Sequence, residues 1–350
     1  MIGERLKRAR AAAGLSMKKL EEQVGVSANM IKKYEHDTSM PSSSVLLQLA
    51  KALNVRSEFF FRPANVTLEQ VEYRKKASAP AKLIKRIEAD VLEQAERWQE
   101  LEQLWPNYPL APFSYTGPMP TIGNLQDVEQ AAEQVREHWQ LGMNPLPDVI
   151  DLLESKGVLV IITDVEQADK FDGLQAHIGA KPVVVISAHW PGCRQRFTLA
   201  HELGHLLLHD HLPQDMDEER ACNRFASAFL LPASGLIQRL GGQRHQLDPR
   251  ELKLLKDEYG LSMAACLYRA ADLGIISKAR RTSLFMLFSK NGWRKQEPGE
   301  PYPPERTYLF EQLVYRALAE GIISEAKAAE LLNTPLMQLH YQRAMQAEAC

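Results

Sequence analysis

The motif His201–His205, with the sequence HELGH, constrains this chain more than any other feature. Two histidines four residues apart lie on one face of an α-helix, so both imidazoles can reach the same metal ion. Glu202 stands between them, where it can polarise a water molecule bound to that ion. Mostly apolar residues continue on both sides, at 197–200 and 206–208, which predicts a helix held in a protein core. The sequence therefore predicts a metal site, with Zn²⁺ as its ion.

The HExxH pattern is typical of zinc peptidases, in which three protein ligands leave one position of the metal open to water. Glu219 is the best third ligand, because it follows the motif by fourteen residues and starts a segment with an apolar helical face. Glu218 is its main competitor, while Asp215 and Asp217 are explained more simply as solvated acids near a helix start. In a peptidase, Glu202 would accept a proton from the attacking water and pass it to the leaving amine.

Two further side chains near the motif are candidates for supporting roles. Asn223 lies one helical turn beyond Glu219, where it can orient a histidine ligand through the outer ring nitrogen. Cys193, eight residues before His201, is a hypothetical regulatory ligand whose thiolate would fill the open position of the zinc. The simpler explanation of Cys193 is an inert, small buried side chain.

A peptidase must also hold its substrate and stabilise an oxyanion. An extended peptide is expected to pair with the strand predicted near Val183–Ser187, taken as an edge of the sheet. The donor that assists zinc at the oxyanion is left open among His177, His209 and His211, each of which is also explained as a structural or solvated histidine.

Composition narrows the class of protein. The 350 residues suggest two or three domains, and 45% hydrophobic residues, 25% charged residues and a net charge of −2 are ordinary for a globular protein. The longest apolar runs, 158–162 and 183–186, have the length of strands, so no membrane partner is expected. The amino terminus has no signal-peptide pattern and the four cysteines form no CxxC pair, which together indicate the cytoplasm.

Charge is distributed unevenly along the chain. Residues 1–64 contain 11 Lys and Arg against 6 Asp and Glu, a net charge of +5, whereas the remainder contains 31 against 38, a net charge of −7. A basic amino-terminal module on an acidic body predicts an anionic partner for that module alone.

The basic module, residues 1–64, has the pattern of a helix-turn-helix domain. Five short helices are predicted between Glu4 and Phe61, and Ser16 and Ser27 are expected to cap the helices on either side of a turn at Gly25. Residues 3–62 resemble the Xre/phage-repressor family of DNA-binding domains. The resemblance is carried by Leu6, Arg10, Gly14, Leu15, Ser16, Leu20, Gly25, Val26, Ser27, Ile31, Tyr34, Glu35, Pro41, Leu46, Leu49, Ala50 and Leu53.

This resemblance implies double-stranded DNA, at an operator-like site, as the anionic partner. The recognition helix would be Ser27–Tyr34, with Ala28, Asn29 and Lys33 facing base edges in the major groove. The residues that would hold phosphates are Ser16, Lys18, Ser27 and Lys32. A helical protein–protein module is the alternative, but the charge of +5 and the polar recognition face favour DNA.

Residues 65–120 are interpreted as a helical linker. Apolar residues recur at helical spacing from Leu83 to Leu104, and prolines are frequent from Pro106 to Pro120. The apolar stripe has two explanations. It forms a homodimer interface, which DNA binding at two half-sites would use, or it packs against the peptidase domain of its own chain.

The pattern changes again after residue 120. The elements expected in a domain at 121–240 are helices at Asp127–Gln140, Pro147–Lys156 and Arg194–His209, with strands at 158–163, 175–178 and 183–187. Helices beside a small sheet make an α+β domain. Residues 241–350 are expected to form a helical carboxyl-terminal extension.

Residues from about 121 to 240 resemble the ImmA/IrrE family of metallopeptidases. The shared features are Leu141-Gly142 with Pro145, Leu153-Glu154 before Gly157, Asp172-Gly173, the run 196–205, and Glu219–Ala226 leading to Leu230-Leu231-Pro232. The resemblance implies that Glu219 completes a zinc site with His201 and His205, and it extends to the helical region after residue 246. The expected fold is multidomain: an all-α helix-turn-helix domain, an α+β zincin-like metallopeptidase domain and a helical carboxyl-terminal region.

Three functions follow from these patterns. The leading hypothesis, implied by the resemblance, is a DNA-binding regulatory zinc endopeptidase that cleaves a specific protein, typically a transcriptional repressor. The second is a transcriptional regulator whose zinc domain is sensory or structural; Glu202 argues against it, because a structural site has no use for that acid. The third, an antitoxin-like repressor with a partner toxin, rests on the helix-turn-helix alone.

Overall fold

The computed structural model describes residues 2–62, 66–73, 80–166, 171 and 173–345. Two residues used in the sequence interpretation, Asp172 and Cys350, lie outside the described residues. Most of the described chain is helical, a small sheet is present, and the chain clusters into two compact units. In the described part of the chain, no helix has both the length and the apolarity that crossing a membrane requires.

The amino-terminal module consists of five short helices, as predicted. These are α1 (Ile2–Ala12), α2 (Met17–Val24), α3 (Ala28–Glu35), α4 (Ser43–Ala52) and a 3₁₀ helix (Ser57–Phe61). The Ser16 and Ser27 side chains accept hydrogen bonds from the backbone N–H groups of Lys19 and Met30, so both predicted caps are present. Gly25 ends α2 with a φ of 70°, which glycine adopts without strain.

The core of this module is apolar and compact. Its fully buried members include Leu6, Leu20, Ile31, Leu49 and Phe60, one or more from each helix. Burial of one such side chain stabilises a fold by about 1.5–3 kcal/mol, so the five together hold the short helices in place.

The strands are β1 (Glu69–Tyr73), β2 (Leu159–Thr163), β3 (Leu174–Ile178) and β4 (Lys181–Ser187), hydrogen-bonded in the order β1-β3-β4-β2. β1 runs antiparallel to β3, with Glu69 opposite His177 and Tyr73 opposite Leu174. The sequence predicts no strand between residues 65 and 120, so β1 is an addition. The prediction that Val183–Ser187 lies at an edge of the sheet is wrong, because β4 has β3 on one side and β2 on the other.

The first compact unit comprises Met1–Pro109, Ile161–Ala180 and Tyr308–Cys350. Besides the amino-terminal module it contains α5 (Ala81–Leu104), α14 (Leu309–Ala319), α15 (Glu325–Leu331) and α16 (Leu336–Arg343). The apolar stripe of α5 is buried within this unit: Ile87, Val91 and Leu101 are each at most 1% exposed. The part of α5 that a homodimer would use is therefore covered by the chain itself.

The second unit comprises Leu110–Val160 and Lys181–Thr307. Its helices are α6 (Leu125–His138), α7 (Val149–Ser155), α8 (Gly192–Leu208), α9 (Glu218–Leu230), α10 (Ala233–Leu240), α11 (Pro249–Tyr259), α12 (Met263–Asp272) and α13 (Lys278–Lys290), with a 3₁₀ helix at His209–His211. α8, α6 and α12 each pack against α9. The multidomain fold class expected from the sequence is confirmed.

Buried ion pairs fix α9 between its neighbours. Glu129 of α6 pairs with Arg269 of α12, and its Oε2 lies 2.8 Å from Nε of Arg224 on α9. All three side chains are at most 8% exposed. In such surroundings a lost partner leaves an uncompensated buried charge, so the geometry of the three helices is strongly constrained.

Candidate metal centre

The motif histidines lie on the inner face of α8, as their spacing predicts. His201 is fully buried, His205 is 13% exposed at its side chain, and their Nε2 atoms are 3.0 Å apart. Gly204 lets α9 approach this face, because a Cβ at residue 204 would lie 3.2 Å from the Cα of Cys222. The small residue in the motif therefore brings the next helix within reach of the two imidazoles.

α9 supplies the carboxylate that faces both rings. It starts at Glu218, where the Asp217 side chain caps it by accepting the Arg220 N–H at 3.2 Å. The two carboxylate oxygens of Glu219 each lie 3.6 Å from one Nε2 atom, Oε2 from that of His201 and Oε1 from that of His205. Glu219 is 49% exposed at its side chain, so solvent reaches the point where the three side chains converge.

The spacing of these donor atoms suits Zn²⁺. A tetrahedral zinc ion with bonds of about 2.0–2.1 Å places its ligand atoms about 3.3 Å apart. The measured separations of 3.0 Å between the imidazoles and 3.6 Å to the carboxylate bracket that value. The donor set fits a zinc ion with three protein ligands.

Both histidines are oriented through their outer ring nitrogens. Nδ1 of His201 lies 3.0 Å from Oδ1 of Asn223, a separation that fits the role proposed for Asn223. Nδ1 of His205 lies 3.0 Å from Oε1 of Glu218. An Nδ1–H that donates to oxygen leaves the Nε2 lone pair directed at the metal position.

Glu218 contacts two histidines, which the sequence interpretation did not predict. Its Oε1 also lies 3.1 Å from Nδ1 of His209 on the following 3₁₀ helix. Burial alone would raise the pKa of Glu218, but hydrogen bonds and charges from His205 and His209 outweigh it and leave the pKa below its ordinary value. Glu218, His205 and Cys222 also form a second group of close donor atoms.

Glu202 follows His201 on the same helix and is 4% exposed. Among the described residues, the group of donor atoms that converge here does not include Glu202. The proton-accepting role expected of Glu202 stays a prediction.

Cys193 lies in the first turn of α8, away from the motif in sequence and in surroundings of its own. Burial raises the pKa of its thiol, the charge of Glu297 adds to this shift, and Lys256 opposes it. Among the described residues, neither group of metal-capable side chains includes Cys193. The regulatory role imagined for it stays a prediction.

A buried arginine anchors the helix that carries the motif. Nη2 of Arg196 donates to the Leu146 carbonyl at 2.7 Å, and Nη1 pairs with Glu305 at 2.5 Å. The other oxygen of Glu305 accepts the Val149 N–H at 2.6 Å. Gly192 starts α8 directly against the chain at 302–303, where a Cβ would lie 1.9 Å from the Pro303 carbonyl oxygen.

The residues predicted to contact DNA lie on the outer surface of α2 and α3. Asn29, Lys18, Lys32 and Lys33 are exposed, and Ala28 is half-buried. The Arg10 guanidinium pairs with Glu35, at 2.8 Å between Nη2 and Oε2, and so holds α1 against α3 behind this face. The exposed cations leave a basic surface at the predicted recognition helix.

The chain contains two recognisable domains. Residues 6–60 match the family model described as helix-turn-helix. Residues 153–271 match the M78 peptidase family model described as the IrrE N-terminal-like domain. The chain thus carries a helix-turn-helix domain and an IrrE-like domain, and the Xre and ImmA/IrrE resemblances drawn from the sequence are confirmed.

The curated relatives match this chain over only about 60 residues. An uncharacterised HTH-type transcriptional regulator of Sinorhizobium medicae (strain WSM419) is 36% identical over 63 residues, which is 18% of this chain and 45% of that protein. An uncharacterised transcriptional regulator in the ATPase CF(0) region of Rhodospirillum rubrum is 38% identical over 60 residues, 17% of this chain and 56% of that one. The HTH-type transcriptional regulator ImmR of Bacillus subtilis (strain 168) is 34% identical over 58 residues, 17% and 46% of the two chains.

The chain therefore spans about half the length of the curated relatives it matches. Among solved structures, a transcriptional regulator of Mycobacterium tuberculosis is similar at a TM-score of 0.33 and 19% identity, over 41% of this chain and 47% of that one.

Proposed function

We propose that the chain is a DNA-binding regulatory zinc endopeptidase that cleaves a specific regulatory protein, with a transcriptional repressor as the typical substrate. The proposal rests on one observation above all: Nε2 of His201, Nε2 of His205 and a carboxylate oxygen of Glu219 converge within 4.8 Å of one another, and Glu202 directly follows His201 in the sequence. The match to an M78 peptidase family model supports it.

In the proposed peptide hydrolysis, different residues of the site bind the metal, transfer the proton and orient the histidines. His201, His205 and Glu219 would hold Zn²⁺, which when bound acidifies water and polarises a peptide carbonyl. Glu202 takes the proton of the attacking water and returns it to the leaving amine. Asn223 and Glu218 keep the two imidazoles in the orientation that directs Nε2 inward.

Replacement of Glu202 tests the proteolytic half of the proposal. Glu202→Gln keeps the size of the side chain and removes the proton acceptor, so zinc content should stay at that of the wild type while a substrate protein accumulates in cells. Glu300→Gln, at an exposed glutamate of the same unit, is the matched control. Quantitative proteomics of the three strains measures this. Identical proteomes, with zinc retained, would refute proteolysis.

The DNA-binding half rests on the helix-turn-helix match and on the exposed basic face of α3. Asn29 and Lys33 would read base edges, while Ser16, Lys18, Ser27 and Lys32 would position the domain on phosphates. A gel-shift titration with DNA from upstream of the gene should show Asn29→Ala losing sequence preference and Lys32→Gln losing affinity for all sequences. Retention of both properties by both variants would contradict this interface.

A transcriptional regulator with a sensory or structural metal domain is the second candidate. The names of the curated relatives, all transcriptional regulators, favour it. The two candidates differ in Glu202, whose removal leaves a purely sensory site unaffected. Regulation that persists unchanged in the Glu202→Gln strain selects this second function.

A further inference from the structure

The first compact unit contains a cavity of about 890 Å³ that plays no part in the metal centre. It is bounded by α1, by the end of α4 with the following 3₁₀ helix, by α5, and by the connection from α15 to α16. Pockets for small molecules have volumes of about 300–1,000 Å³. This cavity is large enough for an organic metabolite.

The lining of the cavity has an excess of positive charge. The cationic lining residues are Arg5, Arg8, Lys51, Arg56, Arg62 and Arg97. The acidic ones are Glu93, Glu96 and Glu330. Two cations for each acid make an environment that attracts anions.

Two of the three acidic side chains form ion pairs with neighbouring cations. Glu96 pairs with Arg5 through one oxygen and lies 2.8 Å from Nη1 of Arg8 through the other. Glu330 pairs with Arg62. The third acid, Glu93, lies in surroundings that raise its pKa by burial, although the charge of Arg97 opposes the shift.

Two lining cations are available to pair with an anion, although the charges of Glu93 and Asp90 already act on Arg97. Within the described ranges, neither Arg97 nor Lys51 has a carboxylate at ion-pair distance. Nη1 of Arg97 donates to the Leu331 carbonyl at 3.2 Å, but its buried Nε has no hydrogen-bond partner in the described part of the chain.

We propose that this cavity binds a small organic anion, a phosphate or carboxylate compound, through Arg97 and Lys51. The guanidinium fork of an arginine matches the oxygens of either group. Ala9, Ala89 and Phe59 form an apolar part of the wall, against which the body of the ligand packs. The ligand thus contacts α1 and α5 at once, and its binding favours the arrangement in which these helices enclose it.

Calorimetric titration of the full chain with inorganic pyrophosphate, and separately with citrate, tests this site. Saturable binding of at least one anion at one site per chain is the expected result, and the stronger of the two shows whether phosphate or carboxylate is preferred. Arg97→Gln and Lys51→Gln should each weaken that binding about tenfold or more, since each removes a charge-assisted contact. Arg250→Gln, at an exposed arginine outside the cavity, should leave it unchanged.

Two controls keep the outcome clear. Because Arg97 is half-buried, its variant must retain the thermal unfolding of the wild type, and the exposed Lys51 carries the test if it does not. Lys33→Gln monitors pyrophosphate bound at the predicted DNA face. Absence of binding by both anions, or binding that Lys33→Gln weakens and Lys51→Gln does not, overturns the proposal.

Discussion

Glu218 and His205 are joined at 3.0 Å, from Oε1 to Nδ1, on the side of the imidazole that faces away from the metal position. The next residue, Glu219, approaches Nε2 of the same ring from the other side at 3.6 Å. Two consecutive glutamates at the start of α9 therefore hold one imidazole from both sides. Under the proposed function, the second glutamate is a zinc ligand and the first orients the ring.

Loss of the orienting carboxylate should weaken zinc binding without abolishing it. Glu218→Ala is expected to lower zinc affinity about 10–100-fold, because the His205 ring loses the acceptor that fixes its tautomer. Competition with a chromogenic chelator measures the affinity. Asp215→Ala, at an exposed acid of the preceding loop, is the control and should bind zinc like the wild type. Equal affinities for all three proteins would rule out the orienting role.

The start of α8 should not tolerate a side chain at residue 192. A Cβ on Gly192 would lie 1.9 Å from the Pro303 carbonyl oxygen, so Gly192→Ala must displace the chain at 302–303. We expect a loss of about 1–3 kcal/mol in the free energy of unfolding, measured with urea. Gly242→Ala is the matched control, since its Cβ would meet no atom within 4 Å. A Gly192→Ala protein as stable as this control would contradict the close approach.

The buried pair of Arg196 and Glu305 should be far more costly to break than a surface pair. Glu305→Gln leaves the Arg196 charge without its partner in a fully buried position, and we expect a loss of about 3–5 kcal/mol in unfolding free energy. Glu258→Gln breaks the exposed pair with Arg239 and should cost about 1 kcal/mol or less. Similar losses in the two variants would show that the Arg196 pair is not an anchor.

The free energy of unfolding should decrease as the pH rises, because Glu154 titrates. Burial raises the pKa of this carboxyl from 4.5 to about 8, although a hydrogen bond from the Thr307 hydroxyl opposes the shift. Between these two pH values the folded protein keeps a proton that the unfolded chain releases. The contribution of Glu154 to the free energy of unfolding therefore falls from about pH 4.5 to about pH 8 and then levels off.

Glu154→Gln removes this titration. Relative to the wild type, the variant should gain stability as the pH rises from 5 to 8, in urea unfolding at each pH. Glu300→Gln, at an exposed carboxyl, should show no such change relative to the wild type. A stability difference between Glu154→Gln and the wild type that is independent of pH would contradict the raised pKa.

Short-range patterns predicted most of the helices and the core of the site. The histidine pair and Glu202 follow from helical periodicity within five residues, and Ser16, Ser27 and Asp217 occupy cap positions that their side chains favour. These features depend on neighbours along the chain, so one sequence suffices to find them. The same holds for Asn223, one helical turn from Glu219.

Features that depend on contacts between distant segments could not be predicted from the sequence alone. β1 lies in a stretch without a clear alternating pattern and is stabilised by β3, about a hundred residues later in the chain. The interior position of β4 depends on which strands flank it, and apolar composition does not reveal that order. Composition also cannot show that Glu305 reaches Arg196 across 109 residues.

The most direct test of the account is zinc K-edge X-ray absorption on the purified full chain, with zinc content measured on the same sample. One zinc ion per chain is predicted, with nitrogen and oxygen ligands at about 2.0–2.1 Å from His201, His205, Glu219 and water. The His205→Ala protein should lose the imidazole signal along with the metal. A sulfur shell at about 2.3 Å would place Cys222 or Cys193 on the metal, and zinc absent from a folded protein would leave no metal centre; either result contradicts the account.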